Sequence, residues 1–285
     1  CDRCDARYTY HRGRQRLHCH HCNRGRAVPH HCPRCGSVDL RALGLGTERI
    51  ESALATAFPD TPPVRIDRDS TRRRGTFEQA MRRARAGEIR LILGTQMLAK
   101  GHHLPAVTLV AIVDADQGLF GADFRAPERL AQQIIQVAGR AGRAERPGEV
   151  VIQTHHPDHP LLQQLLDGGY PAFARTALAE REATGLPPAR ALVLIRAEAT
   201  AGEAPMAFLR TALGRAPADS AVERLGPSPA PMERRAGRHR AQLMLLADAR
   251  HQLQAFLDQW LPLLPPLPEA RHVRWSVDVD PVETL

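Results

Sequence analysis

With 285 residues and 43% hydrophobic content, the chain can build two ordinary packed domains, or two plus a small insert. No apolar run approaches the roughly 20 residues that span a bilayer, and the opening CDRCDARYTYHRGRQ is not a targeting signal. The net charge of +8, with arginines recurring through 3–41, 65–90, 140–146 and 234–240, favours a polyanionic partner, although an Ala, Arg and Pro-rich composition raises charge without function.

All six cysteines fall within the first 35 residues as three C-x-x-C pairs, Cys1/Cys4, Cys19/Cys22 and Cys32/Cys35. Two residues between thiolates let one turn present both sulfurs to a tetrahedral ion at about 2.3 Å, and two such turns complete a zinc site. The absence of cysteine after Cys35 and of a secretory signal argues against a disulfide framework. Three pairs make one and a half sites. The preferred pairing joins Cys1/Cys4 with Cys19/Cys22 and leaves Cys32/Cys35 for a missing partner. His18, His20, His21, His30 and His31 are available as substitutes. The chain opens on Cys1 inside a motif, so a longer parent protein is expected.

From residue 45 the pattern turns α/β. PVRID (63–67) reads as a short strand, residues 76–88 as a helix, IRLILGT (89–95) as a buried strand and VTLVAIVDAD (107–116) as another. A helix over 127–139 and a strand over 148–154 continue the alternation, which predicts a parallel sheet covered on both faces. Strand 89–93 runs into Gly94-Thr95-Gln96-Met97-Leu98-Ala99-Lys100-Gly101. There Gly94 and Gly101 admit a close ligand, and Thr95 can donate to phosphate oxygens. Gln136-Val137-Ala138-Gly139-Arg140-Ala141-Gly142-Arg143 ends the next helix and places Arg140 and Arg143 on one helical face, suited to a transferring phosphoryl group as arginine fingers.

A helical pair over 159–184 and the prolines at 187–188 close this unit. Residues 191–199, 241–247 and 272–281 read as strands, 203–214 and 248–260 as helices, together a small open-faced sheet with helices on one side. GPSPAPMERRAGRHR (226–240) reads as a proline-set loop whose Arg234, Arg235, Arg238 and Arg240 contact DNA phosphate or a partner, or form a solvated surface. Gln242 and Trp275 could add polar and stacking contacts, with burial the expected state of Trp275. The expected boundaries are a zinc module at 1–43, the α/β lobe at 44–185 and a C-terminal α/β domain at 186–285.

The strings around Thr95 and Arg140 resemble motifs V and VI of superfamily 2 helicases. With GLGTERIE (44–51), RIDRDST (65–71) and the cysteine pairs just ahead, the chain along its whole length resembles the primosomal protein N-prime family of bacterial replication-restart helicases. The resemblance implies a 3′-to-5′ DNA translocase that hydrolyses ATP with magnesium between two RecA-like lobes, of which this chain holds the second. It also implies eight cysteines on two zinc ions. Thr95, Gln96 and Lys100 would touch the DNA, Arg140 and Arg143 would reach the γ-phosphate, and Gln136 would order that network. The implied partners are forked and single-stranded DNA, single-strand-binding protein, other primosome proteins and the replicative helicase loader, in the bacterial cytoplasm at the nucleoid and with no membrane. No G-x-x-x-x-G-K-[ST] loop and no Asp-Glu-x-His string occur, and Asp114-Ala115-Asp116 reads as a loop positioned by the sheet. The chain alone is therefore expected to be inactive as an ATPase. The competing reading is a non-catalytic zinc-dependent module that binds DNA or assembles the primosome.

Overall fold

The computed structural model describes residues 1–11, 15–40, 46–67, 70–71, 75–95, 98, 104, 106–139, 148–218 and 221–284. The cysteine-rich segment forms a three-stranded antiparallel sheet, β1 (Thr9–His11), β2 (Arg16–His18) and β3 (Gly25–Ala27), in the order β1-β2-β3. Strands of three residues bury too little apolar surface to hold a fold. Accordingly, Cys4 and Cys19 are the buried residues among those described in 1–40.

The central lobe runs α1 (Thr47–Ala57), β4 (Val64–Ile66), α2 (Thr76–Arg85), β5 (Ile92–Gly94), β6 (Leu109–Ile112), α3 (Asp116–Leu119), α4 (Ala126–Ala138), β7 (Glu149–Ile152) and α5 (Pro160–Thr184). Its described strands pair parallel, β4 with β5 and β6 with β7. Leu130, Ala131 and Ile134 form the apolar stripe of α4 and pack on Leu119, Leu161, Leu162, Leu165 and Phe173. Helix α5 is two helices joined at Gly169, where φ is 65° and Pro171 supplies no amide donor.

Coverage on both faces is not what the described residues show. Ile112 and Ile152 pack on the helical core, whereas Leu109 and Val151, one residue out of phase, stay exposed at 57% and 45%. Continuous apolar runs do not reveal which face acquires a neighbour, because both faces of such a strand read alike.

The C-terminal domain contains β8 (Ala191–Ala199), α6 (Ala204–Gly214), β9 (Glu223–Arg235), β10 (Arg238–Ala247), α7 (Arg250–Trp260) and β11 (Arg274–Val279). The sheet is antiparallel throughout, in the order β11-β8-β10-β9. Val193, Ile195, Leu243 and Leu245 meet Phe208, Leu209, Phe256 and Trp260 in its core. The opposite face also buries Leu192, Leu194 and Gln242. Trp275 is half-buried against the core, its ring 5.8 Å from that of Phe208.

Residues 226–240 correct the expectation of a loop: they belong to a long hairpin. Pro227, Pro229 and Pro231 alternate along β9, so their missing amide donors fall on one side of the strand, and an edge strand has one side without a ladder partner. Ala236 and Gly237, with φ of 53° and 84°, make the tight turn whose twist matches the strands.

The far end of the chain returns to the central lobe. Arg125 donates to the Pro281 carbonyl at 2.6 Å, Arg129 donates to that of Val282, and the Thr284 amide donates to the buried carboxylate of Asp123 at 3.1 Å. No helix among the described residues is long and apolar enough to cross a membrane.

Trp260 is fully buried and its indole N–H donates to the Ala212 carbonyl at 2.8 Å. Trp260→Ala should cost about 3–5 kcal/mol, since it opens a cavity and removes that hydrogen bond. Urea unfolding followed by circular dichroism checks this, and a loss below about 1 kcal/mol would contradict the packing described.

Candidate metal centre and motif surfaces

Cys1, Cys4, Cys19 and Cys22 bring four sulfurs within 4.8 Å of one another. The Cys1 and Cys22 sulfurs lie 3.7 Å apart. A disulfide requires about 2.05 Å. The edge of a ZnS4 tetrahedron with 2.3 Å bonds is about 3.8 Å, so the separation fits a shared ion. Burial pushes the Cys19 thiol up, but amide donation from Cys22 and His21 outweighs it and holds the group below its ordinary value. Four soft donors at this spacing fit zinc held structurally, with no open position.

The cover of this cluster comes from the opposite end of the chain. The Ala236 amide at the tip of the β9–β10 hairpin donates to the Cys4 sulfur at 3.1 Å. The same tip pairs with the module's backbone, Asp5 N–H to the Arg234 carbonyl at 2.8 Å and Gly237 N–H to the Arg3 carbonyl at 2.7 Å. Arg3 also donates to the Ala236 carbonyl at 2.8 Å. An amide aimed at sulfur stabilises thiolate, so the hairpin tip belongs to the metal centre.

Cys32 and Cys35 join no such group among the described residues. Their turn nonetheless duplicates the one at Cys19. In each, the amide four residues on returns to the first cysteine's carbonyl, Asn23 to Cys19 and Gly36 to Cys32, both at 2.8 Å. In each, the first cysteine's amide is also bound, to the carbonyl of Arg24 at 2.8 Å or of Ser37 at 2.7 Å. Asn23 and Gly36 take the positive φ that closes the knuckle. His18 and His20 gather with His11 rather than at the third pair, and His11 was not among the histidines the sequence singled out.

The helicase-like motifs are partly within view. Thr95 is exposed just past β5, and its carbonyl accepts from Leu98 N–H at 3.0 Å. Gln96 and Lys100 lie outside the described residues. A Cβ on Gly94 would come within 2.6 Å of the Ile66 carbonyl, so the close approach there is to the adjacent strand. Gln136 is exposed on the last turn of α4, which ends at Ala138, and Arg140 and Arg143 lie outside the described residues. Asp116 opens helix α3 rather than ending a loop, and its carboxylate accepts from the Thr154 hydroxyl and, at 3.0 Å, from the His155 amide.

The four hairpin arginines are divided among tasks. Arg234 lies 3.9 Å from Asp5, Arg238 lies 3.8 Å from Glu198, and Arg240 donates to the Met232 carbonyl at 3.2 Å. Arg235 is exposed. Burial, then the nearby charges of Arg235 and Arg196, hold Arg240 below its ordinary value despite Glu198.

A polar hub not singled out residue by residue in the sequence joins the strings GLGTERIE and RIDRDST. Asp67, buried at 7% exposure, accepts from the Thr47 hydroxyl at 3.0 Å and the Ser70 amide at 2.8 Å. Arg65 Nε lies 3.3 Å from the same carboxylate, while its Nη1 lies 3.4 Å from both Glu48 and Glu51. Burial pushes the Asp67 carboxyl up, but the Ser70 amide, the Thr47 hydroxyl and Arg65 outweigh it and hold the group below the usual range.

Two outcomes follow from this geometry. Cys4→Ser should remove one zinc equivalent per chain and expose residues 1–40 to proteolysis, whereas Cys35→Ser should retain that equivalent; metal analysis with limited trypsin digestion reads both. Because the folded carboxyl of Asp67 is depressed, its stabilisation is present above the unfolded value of about 3.9 and is lost as pH falls through the folded value. The stability deficit of Asp67→Asn should therefore shrink as denaturation curves move from about pH 7 to below about pH 3, and a constant deficit would oppose the hub assignment.

Comparison with known proteins places three domain families along the chain. The PriA DNA helicase Cys-rich region (CRR) domain matches residues 1–26, the helicase conserved C-terminal domain matches 60–145, and the primosomal protein N C-terminal domain matches 182–282. The replication restart protein PriA of Haemophilus influenzae is 46% identical over 283 residues, covering 99% of this chain and 38% of that protein. That of Bacillus subtilis is 38% identical over 288 residues, covering 99% and 35%, and that of Treponema pallidum 38% over 291, covering 100% and 43%. The chain thus spans less than half the length of these relatives. Three such domain matches in one chain, 46% identical over 99% of its length to a replication restart protein PriA, identify it as a member of the PriA replication-restart helicase family.

Proposed function

We propose that this chain is the responding half of an ATP-dependent 3′-to-5′ DNA helicase that restarts stalled replication forks in the bacterial cytoplasm, unwinding DNA and assembling the primosome. The observation that carries the reading is the physical union of a sulfur-rich module with the C-terminal domain beside a helicase lobe, through the amide of Ala236 on Cys4. Thr95, Gln96 and Lys100 grip the DNA backbone, and the exposure of Thr95 suits that task. Arg140 and Arg143 present guanidiniums to the nucleotide, with Gln136 ordering them; the exposure of Gln136 at the end of α4 is compatible with that role. ATP and magnesium, gripped by a first lobe, supply the driving energy.

Zinc bound by Cys1, Cys4, Cys19 and Cys22 supplies the cross-link that the small sheet lacks. A second zinc uses Cys32 and Cys35 with a further pair of ligands from the parent protein, a reading supported by the preformed knuckle at Gly36. Arg234, Arg235, Arg238 and Arg240 serve DNA or partner binding by the C-terminal domain, with single-strand-binding protein and the helicase loader as partners. Arg235 is the best placed of the four, being exposed. The second reading, a zinc-dependent binding module without chemistry, draws on the lack of a phosphate loop in this sequence.

The two readings separate in the full-length parent. Arg143→Ala should lower DNA-dependent ATP turnover by on the order of a thousandfold, and near wild-type turnover would remove the arginine-finger role. The 285-residue chain itself should bind DNA with an affinity that falls as salt rises, and should hydrolyse no ATP.

A further inference from the structure

The cysteine-rich module carries a second cluster of metal-binding side chains on its sheet. His11 ends β1 and His18 ends β2. Because His11 lies opposite Arg16, and His18 is two residues on from Arg16, the two histidines are diagonal neighbours on one face. His20 follows at the next alternate position. The intervening Cys19 is fully buried in the sulfur cluster, whereas His18 and His20 keep access to solvent.

Ring centroids are 5.8 Å apart for His11 and His18, 5.6 Å for His11 and His20, and 5.1 Å for His18 and His20. One nitrogen from each ring lies within 4.8 Å of the others. Metal–nitrogen bonds of about 2.1 Å require an edge of roughly 3.4 Å, so the nitrogens would draw together on binding.

A carboxylate is already in position behind one ring. Glu48, at the start of α1 in the helicase lobe, places Oε1 3.4 Å from His11 Nδ1. A carboxylate on one imidazole nitrogen fixes the tautomer and frees the other nitrogen as a ligand. Glu48 is itself held by Arg65, so the orienting group is anchored in the hub around Asp67.

We propose that His11, His18 and His20 form an open three-imidazole site for a divalent first-row metal ion, Zn2+ being the natural occupant, separate from the four-cysteine centre. Three neutral nitrogen donors with a fourth position left to water suit zinc, whereas hard cations such as magnesium require oxygen. The site lies where the module meets the helicase lobe, so the ion would link β1 and β2 to α1 through Glu48.

Cobalt titration of the 285-residue chain loaded with a single equivalent of zinc, which the four-cysteine centre takes first, tests this. One Co2+ equivalent should bind beyond the zinc, with the weak visible spectrum of nitrogen and oxygen ligation and no sulfur-to-cobalt charge-transfer band. It should persist in Cys32→Ser/Cys35→Ser and disappear in His11→Gln/His18→Gln while the thiolate-bound zinc remains. Glu48→Gln, which spares every ligand, should weaken cobalt binding about 10–100-fold. Absence of the extra equivalent in the unaltered chain, a charge-transfer band accompanying it, or its survival in the double histidine variant would each overturn the site. If the double variant also loses thiolate-bound zinc, the spectrum of the unaltered chain and the Glu48→Gln shift decide the matter, and an unshifted affinity counts against the proposal.

Discussion

Four sulfurs held within 4.8 Å of one another are the constraint on which the N-terminal module rests. Three-residue strands cannot exclude enough water to stay folded, and the burial in the module is concentrated on Cys4 and Cys19. The four-sulfur cluster fits a zinc ion in place of a hydrophobic core, and in such sites binding free energy is folding free energy. The rest of the chain uses ordinary cores, with Leu130, Ile134 and Phe173 in the lobe and Phe208, Phe256 and Trp260 in the C-terminal domain.

The ends of the chain bind its parts together crosswise. The N-terminal residues Arg3 to Asp5 lie along the tip of the C-terminal hairpin, and the C-terminal residues Pro281 to Thr284 are held by Asp123, Arg125 and Arg129 of the central lobe. The first clamp includes two backbone-to-backbone bonds, from Asp5 to Arg234 and from Gly237 to Arg3, whereas the second sets backbone groups of the tail against the side chains of Asp123, Arg125 and Arg129. A shift of the hairpin would thus be felt at Cys4, and a shift of the lobe at the C-terminal tail. The metal centre is in this sense a joint as well as a fold.

Much of the plan was legible in residue spacing. C-x-x-C pairs announce knuckles because two intervening residues suffice for one turn, and the stripe of Leu130, Ala131 and Ile134 announces the buried face of α4. The β9–β10 hairpin was misread as a loop because prolines at alternate positions look like breakers unless the strand is known to be an edge. Which face of β6 and β7 the described residues cover was not legible, because alternation is silent when both faces are apolar. Asp67 gave no spacing signal at all: its partners Thr47, Arg65 and Ser70 come from two stretches that only the fold brings together.

The sequence by itself determined the paired-cysteine spacing, the parallel α/β character of the lobe and the family motifs, since each depends on local spacing of a few residues. The tertiary structure decided which side chains meet at long range. It set the Ala236 amide on Cys4 across 232 positions of chain and His11 beside His18, His20 and Glu48. The physical reason is that ligand spacing is written in one turn of backbone, whereas a hydrogen bond between distant segments depends on strand register and on how separately folded parts pack, and no local pattern encodes either.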